Sequence, residues 1–285
     1  MTKKPVAGTA VIGGSGLYAM KELKGVREIG IKTPFGRPSD SIILGSLAGT
    51  PVAFLPRHGR KHAILPGEIN HRANMWALKS LGVKTIISAS AVGSLKAELA
   101  PAHFVFPDQF VDETKGRVST FFGAGIVGHV PFAEPFCMAL SSIMHKEAVK
   151  LGIKSHLGGV YVCMEGPGFS TRAESLYHRK LGYSIIGMTV ATEAKLAREA
   201  GFHYAPVSLV TDYDCWKEGE EVDQEQVTAT LKKNVENIRR LLVKVIPMAA
   251  GAPCANSCPE FVKTSILTLR ENFPPKTYRA LKFMI

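Results

Sequence analysis

The sequence predicts an α/β protein, a single domain with a central mixed sheet flanked by helices. Short apolar runs alternate along the chain with longer amphipathic segments, which is the pattern of strands and helices in α/β domains. A strand-rich stretch near residues 27–56 contains turn signals, and we expect it to add hairpin strands to the sheet. The chain has 285 residues, of which 46% are hydrophobic, so it can bury a large core.

The strands are predicted from short apolar runs that end in small or turn-forming residues. V-A-G-T-A-V-I runs into the glycine loop G-G-S-G, and the stretch 27–56 supplies the hairpin. The later strands are V-K-T-I-I-S-A-S-A, V-Y-V-C-M-E-G-P, S-I-I-G-M-T and H-Y-A-P-V-S-L-V-T-D.

Helices are predicted where apolar residues recur at helical spacing between start and stop signals. The first covers residues 66–82, with Pro66 at its start and Gly82 at its end. The others cover residues 133–151, 171–181, 191–201 and 223–245. The pattern weakens beyond Pro247. We therefore predict one domain over residues 1–248 and a C-terminal tail over residues 249–285 with a linker and a short helix.

The net charge of +11 favours an acidic partner, but the positive side chains are scattered and form no basic stripe interleaved with aromatic residues. We therefore expect no nucleic-acid partner, and an anionic small substrate or a solvated basic surface accounts for the charge. No apolar run is long enough to span a bilayer, and glycine interrupts the N-terminal apolar stretch too early for a signal peptide. These features predict no membrane partner and a cytoplasmic location.

Five cysteines stand at positions 137, 163, 215, 254 and 258. Their odd number and wide spacing are not typical of a secreted disulfide framework. Cys254 and Cys258, in C-A-N-S-C, have a spacing that metal sites use, but no second pair obviously accompanies them. Three alternatives stay open for this pair, namely no role, a disulfide or a metal. We expect no metal site and no cofactor.

Several polar side chains directly follow predicted strands, where α/β proteins bind ligands. Ser15, Arg57, His58, Ser90 and Thr189 carry hydrogen-bond donors, so together they predict an oxyanion site that suits phosphate. Taken singly, the arginine could be a surface charge and the histidine a turn cap. G-S-G-L-Y-A also matches a dinucleotide-binding fingerprint, but the hairpin that follows it argues against that function.

Asp212 and Asp214 follow the apolar run P-V-S-L-V at the end of the last predicted strand. Buried carboxylates require a partner, because removing an unpaired charge from water is costly. Three roles fit the spacing. The pair can cap a turn, hold a metal for which no third ligand is evident, or bind a ligand through hydrogen bonds.

Longer words of the sequence stand in one order along the chain, among them G-G-S-G-L, T-P-F-G-R-P-S-D, R-H-G-R-K-H, D-Q-F-V-D, E-G-P-G-F-S-T-R-A-E-S and T-D-Y-D-C-W. In these words the chain resembles the trimeric purine nucleoside phosphorylases, and within them the 5′-methylthioadenosine phosphorylases, over residues 8–248. The resemblance implies a purine nucleoside phosphorylase-like fold for the predicted domain. It also implies a homotrimer or a dimer of trimers, and inorganic phosphate as a co-substrate with no metal or other cofactor.

The resemblance further implies roles for individual residues. The phosphate site is expected to consist of Ser15, Arg57, His58, Ser90, Ala91 and Thr189. The nucleoside is expected to contact Met188 at the ribose, Phe169 and Ser170 beside the base, Asp212, Tyr213 and Asp214 at the purine, Gln224, Val227 and Thr228 in the 5′ pocket, and His129 of a neighbouring subunit. Because Gln224 and Thr228 are more polar than a methylthio group requires, turnover of adenosine stays an open alternative.

The implied reaction is phosphorolysis of 5′-methylthioadenosine to adenine and 5-methylthioribose 1-phosphate, catalysed by a pentosyltransferase of purine and methionine salvage. Adenine leaves readily only when its N7 is protonated, and a carboxylic acid can supply that proton. We predict that Asp212 is this acid, with Asp214 as the second choice, and that burial raises its pKa. The rival functions are phosphorolysis of inosine or methylthioinosine, hydrolysis by water, and nucleoside binding without turnover. The carboxylate pair and the donor-lined anion site argue against them.

Overall fold

The computed structural model describes residues 5–219, 224–249, 254 and 258–285, with side chains described at all of these except positions 15 and 224–227. An 11-stranded mixed sheet forms the centre of the molecule. Successive residues of its strands belong to two separate apolar clusters, one on each face of the sheet. Helices therefore pack on both faces. Ala10 and Ile12 of the first strand belong to one cluster and Val11 to the other. The predicted fold class is confirmed.

The elements follow one another as the alternating pattern predicts. The strands are β1 (Thr9–Gly13), β2 (Lys24–Ile29), β3 (Ile42–Leu47), β4 (Thr50–Pro56), β5 (Thr85–Ser94), β6 (Phe104–Phe106), β7 (Gln109–Asp112), β8 (Ser155–Leu157), β9 (Val160–Cys163), β10 (Ile185–Gly187) and β11 (His203–Asp212). The helices are α1 (His71–Ser80), α2 (Met138–Lys150), α3 (Arg172–Lys180), α4 (Val190–Glu199), α5 (Gln224–Ala249), α6 (Phe261–Ser265) and α7 (Pro275–Leu281). The short strands β6, β7 and β8 are the additions to the predicted set.

Local capping explains where the helices begin. Asn70 precedes α1, and its side chain accepts a hydrogen bond from the backbone N–H of Ala73. The predicted start at Pro66 instead forms a separate 3₁₀ turn, Pro66–Glu68. Thr171 precedes α3 and exchanges hydrogen bonds with Glu174 in a capping box.

The order of the strands creates a split in the sheet. The order is β2-β3-β4-β1-β5-β10-β9-β7, and β11 lies along the other edge of β5. β1 runs parallel to β5 and pairs with it as far as Ser88. β10 runs antiparallel to β5 and pairs with Gly93 and Ser94. The middle of β5, residues 89–92, therefore lies between the ends of two strands that approach from opposite directions.

The C-terminal tail packs against the body of the molecule. The indole Nε1 of Trp76 in α1 donates a hydrogen bond of 2.8 Å to the carbonyl of Ala280 in α7. Leu281 and Met284 are buried in the core. Part of the predicted linker, at residues 250–253 and 255–257, lies outside the described residues. None of the described helices combines the length and the apolar character needed to cross a membrane.

Candidate active site

The split in the sheet brings the predicted phosphate-binding segments together. Ser90 and Ala91 lie in it, and Ala91 is exposed although it sits inside a strand. The end of β1 borders one side, since a Cβ on Gly13 would lie 3.3 Å from the carbonyl oxygen of Ala89. The end of β10 borders the other side, since a Cβ on Gly187 would lie 3.2 Å from a methyl group of Val92. The loops that begin at Ser15 and at Met188 therefore converge on Ser90 and Ala91.

Arg57 lies at the end of β4 beside this split, and its guanidinium is held by protein groups. Its Nε donates to Glu193 Oε1 at 2.5 Å, and the pair is almost completely buried. Its other two nitrogens donate to the carbonyl of Ala89 at 2.9 Å and to the hydroxyl of Ser88 at 2.7 Å. Burial opposes the positive charge, but the Glu193 carboxylate outweighs it, so the pKa of Arg57 is raised and the side chain stays charged.

Glu193 is a site residue that the strand-end pattern did not reveal. It lies in α4 and also accepts hydrogen bonds from Ser88 Oγ at 2.7 Å and from the hydroxyl of Tyr204 at 2.9 Å. Burial opposes its ionisation, but the charge of Arg57 and the hydrogen bonds from Arg57 and Ser88 leave the pKa of Glu193 below its ordinary value. The pair thereby joins β4, β5 and α4 at the base of the split. Its signal in the sequence was the glutamate of M-T-V-A-T-E.

Two hydroxyl groups in the split have no protein partner among the described residues. Ser90 Oγ and Thr189 Oγ1 are both shielded from solvent, and neither has a partner at hydrogen-bond geometry in the part of the chain that the structure describes. An unsatisfied buried hydroxyl costs about 1–3 kcal/mol. Thr189 is also the N-cap residue of α4, a position where backbone N–H groups and the helix dipole favour an anion. These two hydroxyls are therefore donors that are free for an oxyanion.

His58 follows Arg57 at the end of β4. Its Nδ1 lies 2.8 Å from the carbonyl oxygen of Ile64, a contact in which Nδ1 carries the hydrogen. Burial, opposed in part by this hydrogen bond, lowers the pKa of His58 below its ordinary value. The neutral imidazole then presents Nε2 without a hydrogen, so a phosphate ligand at Nε2 requires protonation of the ring or a hydrogen on the phosphate.

Asp212 ends β11 and has the properties of a proton donor. Burial, together with the nearby Asp214, raises the pKa of Asp212. Its Oδ2 accepts a hydrogen bond from Thr211 Oγ1 at 2.7 Å, and its Oδ1 accepts one from the backbone N–H of Asp214 at 2.8 Å. The second bond is a turn cap, so Asp212 has the structural role that its spacing allowed. This cap does not use all of its capacity, since each carboxyl oxygen can accept a further bond.

Asp214 carries two signs of a ligand-binding residue. Its backbone φ is +54°, a left-handed conformation that is uncommon for a residue other than glycine. Its Oδ2 is buried and has no partner among the described residues. Strained backbone and unsatisfied polar atoms cluster at functional sites. Both carboxylates lie over Gly93, where an added Cβ would be 3.1 Å from Asp212 Oδ1 and 3.3 Å from Asp214 Cβ.

The residues beside the two carboxylates anchor their loop. The indole Nε1 of Trp216 donates to the carbonyl of Ser94 at 2.7 Å, and the guanidinium of Arg179 lies 3.4 Å from the centre of the indole ring. Tyr213, predicted to contact the substrate, is buried, with its ring edge-to-face against Trp216 and its hydroxyl 3.3 Å from the carbonyl of Ala97. Its observed contacts thus support the loop.

The loop after β9 closes the site from the side of Met188. The Met188 sulfur packs against Gly166, where an added Cβ would lie 2.5 Å from it. Ser170 Oγ is buried without a partner among the described residues, and the Ser170 carbonyl accepts a hydrogen bond from Cys215 Sγ at 3.3 Å. Phe169 is 80% exposed, so its ring is free to cover a ligand.

Arg117 is a second residue that the sequence did not single out. Its guanidinium donates to the carbonyl of Met188 at 2.5 Å and to the carbonyl of Glu165 at 2.6 Å, and it pairs with the Glu165 carboxylate at 2.9 Å. It therefore fixes the loops after β9 and β10 relative to each other. In the sequence Arg117 is one basic residue among many, and nothing in its neighbours marks this role.

The predicted 5′-pocket residues lie at the start of α5. The side chains of Gln224 and Val227, like that of Ser15, lie outside the described part of the structure. Thr228 is exposed and lines a groove between α5 and the loop after β1. Gly16, Leu231 and Val235 also line this groove. The groove thus lies between the first half of α5 and the segment that carries Ser15.

His129 lies away from these loops, on the segment before α2. It is exposed, and its backbone N–H donates to the carbonyl of Ser265 in α6 at 2.9 Å. The neighbouring Gly128 forms a β-bridge with Ile266. The tail therefore holds the position of the segment that presents His129 to the surface.

The sequence and the fold of this chain are similar to those of proteins from one known family. The model of the phosphorylase superfamily matches residues 9–247. S-methyl-5′-thioadenosine phosphorylase of Koribacter versatilis is 50% identical over 279 residues, which is 96% of this chain and 94% of that protein. The enzyme of the same name from Hyperthermus butylicus is 50% identical and covers 92% of this chain and 96% of its own length.

Solved structures agree with these relatives. A methylthioadenosine phosphorylase from an Antarctic soil metagenomic library superposes with a TM-score of 0.95 at 44% identity, covering 99% of this chain and all of the other. Methylthioadenosine phosphorylase from Schistosoma mansoni, in complex with adenine, has a TM-score of 0.86 at 37% identity over 92% of this chain and 100% of that one. The chain belongs to the phosphorylase superfamily, in its branch of S-methyl-5′-thioadenosine phosphorylases. The predicted family is confirmed.

Proposed function

We infer that this protein catalyses the phosphorolysis of 5′-methylthioadenosine to adenine and 5-methylthioribose 1-phosphate. This inference depends on one observation: two different polar sites lie a few residues apart along β5. Unpartnered hydroxyls at Ser90 and Thr189 suit an oxyanion, and a carboxyl group of raised pKa at Asp212 lies over Gly93. From Ser90 to Gly93 the strand rises by about 10 Å, which leaves room for a ribose between phosphate and base.

Phosphate binds at the split in this mechanism. Thr189 Oγ1, Ser90 Oγ and the backbone N–H groups at the start of α4 donate to its oxygens, and the loop of Ser15 closes over it. The buried Arg57–Glu193 pair acts mainly by holding β4, β5 and α4 in place, because all three guanidinium nitrogens already have protein partners. The protein contributes positioning and electrostatics, since phosphate is itself a nucleophile.

The purine leaves at the other end of the site. As the bond between the ribose C1′ and the purine N9 breaks, its electron pair moves into the purine ring. Asp212 transfers its proton to N7, and Asp214 Oδ2 accepts a hydrogen bond from the 6-amino group. A phosphate oxygen forms the new bond to C1′, and its negative charge stabilises the cationic sugar. Hypoxanthine and guanine present an oxygen at position 6, which an ionised Asp214 repels.

The 5′ substituent is bound at the start of α5 and by a neighbouring subunit. Thr228 and the groove beside it lie on this chain, and His129 is exposed for contact with a second copy. Formation of a homotrimer would bring His129 to the site of the adjacent chain. The two products of the reaction, adenine and 5-methylthioribose 1-phosphate, enter purine and methionine salvage. A broader activity on adenosine is the second candidate. It is favoured by the polar Thr228 and by relatives from Schistosoma mansoni that carry the name adenosine/methylthioadenosine phosphorylase at 36% identity.

A base-release assay tests the proposal. The protein is incubated with methylthioadenosine, adenosine or inosine, each with and without inorganic phosphate, and the free base is quantified. We expect adenine from methylthioadenosine only when phosphate is present. Release without phosphate would identify a nucleosidase, and hypoxanthine as the main product would contradict the role of the two carboxylates.

A further inference from the structure

A cluster of cysteine and histidine side chains lies outside the site described above. Cys137, His203, Cys254 and Cys258 each offer one donor atom, and all four atoms lie within 4.8 Å of one another. Cys137 Sγ is 3.8 Å from Cys254 Sγ and 3.9 Å from His203 Nδ1. Cys254 Sγ is 3.2 Å from Cys258 Sγ. The four residues come from the start of α2, the start of β11 and the C-terminal tail.

We propose that these three thiolates and one imidazole bind a zinc ion that fastens the C-terminal tail to the body of the protein. Zinc prefers four ligands in a tetrahedron, with Zn–S near 2.3 Å and Zn–N near 2.0–2.1 Å. Those bond lengths place two sulfurs about 3.8 Å apart, and a sulfur and a nitrogen about 3.6 Å apart. The distances from Cys137 agree with these values to within a few tenths of an ångström. The Cys254–Cys258 pair has to open by about 0.6 Å.

The position of Cys137 favours its thiolate, which is the form that binds a metal. Cys137 is the N-cap residue of α2, where the helix dipole stabilises a thiolate. Cys137 and Cys258 are buried, which protects a metal–sulfur cluster from water. The spacing of Cys254 and Cys258 is one that structural zinc sites use. Sulfur and imidazole together select zinc over magnesium or calcium, which prefer oxygen ligands.

A disulfide explains this cluster less completely. Three thiols can form one disulfide among themselves, which leaves the third thiol and the imidazole without a function. A bond between Cys254 and Cys258 would also shorten their separation from 3.2 Å to about 2.05 Å and would draw both sulfurs away from a shared centre. A single tetrahedral ion uses all four donors.

The proposed ion has a structural role. Two of its ligands, Cys254 and Cys258, lie in the chain between the end of α5 and the start of α6. The ion therefore fixes the part of the chain that supports the segment of His129. The backbone of Cys137 is itself tied to β11 by a hydrogen bond of 2.8 Å to the carbonyl of Tyr204. The proposal departs from the expectation of no metal site. The ion takes no part in phosphorolysis, so the reaction itself still needs no metal.

Metal analysis of the full-length protein tests this proposal. Protein prepared without a histidine tag is incubated with zinc chloride, passed through a chelating resin and analysed for metal. We expect about one zinc per chain, retained after the resin. Cobalt(II) in its place should give the intense visible absorption of a tetrahedral thiolate site. Cys137→Ser and Cys258→Ser should lose the zinc, whereas the matched control Cys215→Ser, which removes a thiol outside the cluster, should keep it.

Two outcomes would overturn the proposal. One is zinc-treated wild-type protein that retains no metal while all five cysteines react as free thiols after denaturation. The other is a Cys254–Cys258 disulfide found by mass spectrometry in protein alkylated before digestion. If the serine variants do not fold, the wild-type measurement stands by itself, with zinc release by a thiol-specific mercurial as the second readout.

Discussion

Replacing Asp212 with asparagine removes the proposed proton donor but changes the stability of the fold little. Asparagine keeps the shape of the side chain and one carbonyl oxygen, so the hydrogen bond from the Asp214 N–H is retained. The hydrogen bond from Thr211 Oγ1 is lost, but that hydroxyl also lies 3.2 Å from the carbonyl of Val92 and can donate to it. It can then accept a hydrogen bond from the new amide. The cost in folding free energy is therefore at most about 1 kcal/mol.

The catalytic effect of Asp212→Asn is much larger. An amide can donate a hydrogen bond to N7 but cannot transfer a proton. General acid catalysis contributes a factor of about 10²–10⁴, which is about 2.7–5.5 kcal/mol of barrier. We expect kcat for methylthioadenosine to fall at least about a hundredfold. The fall for inosine should be much smaller, because hypoxanthine delocalises the negative charge of the leaving base onto its oxygen at position 6 and depends less on a proton at N7.

The assay compares kcat/KM for the two nucleosides, with the melting temperature of each variant as a check on folding. Asp108→Asn is the matched control. Its carboxylate also accepts a backbone hydrogen bond, from Gly159 at 2.7 Å, but it lies in the turn between β6 and β7. This control should leave both activities unchanged. Equal losses on methylthioadenosine and inosine in Asp212→Asn would refute the assignment of the acid.

Two further predictions concern the phosphate side. Thr189→Val removes a hydroxyl that has no protein partner, so KM for phosphate should rise about tenfold or more while the free energy of unfolding of the free protein stays level or increases, as measured by kinetics and urea titration. A lower stability with unchanged KM would contradict this role. Glu193→Gln leaves the buried charge of Arg57 without a counterion, which should cost about 3–5 kcal/mol of folding free energy, whereas Glu28→Gln at an exposed pair should leave the stability almost unchanged. Because the pKa of Glu193 is lowered on folding, its contribution is present above its ordinary pKa and is lost as the pH falls through the lowered value, so acid titration of stability should be less steep in Glu193→Gln. Equal effects of the two glutamine substitutions would contradict the importance of burial.

The parts of the site that lie at strand ends could be predicted from the sequence. Ser90, Thr189 and Asp212 each follow an apolar run, and such positions are where α/β proteins bind ligands. Ser90 and Asp212 lie on the parallel strands β5 and β11, as this reasoning assumes. What could not be predicted is how the sheet divides. The split along β5 depends on β10 approaching antiparallel to it, and local periodicity carries no information on the direction in which a strand pairs.

The residues that support the site could not be predicted from the sequence either. Glu193 lies 136 positions from Arg57, so their hydrogen bond depends on the fold and leaves no local signature. The cysteine cluster is similar, because Cys137 and Cys254 are 117 positions apart and their partner is a histidine, His203, rather than a second cysteine pair. A search for paired spacings therefore finds half of the cluster.

A crystal structure with adenine and phosphate tests the central claim most directly. We expect a carboxyl oxygen of Asp212 within about 2.6–3.2 Å of adenine N7, with Asp214 at the 6-amino group. We also expect a phosphate oxygen at hydrogen-bond distance from Thr189 Oγ1. A base bound with N7 facing solvent, or facing a group other than these carboxylates, would contradict it.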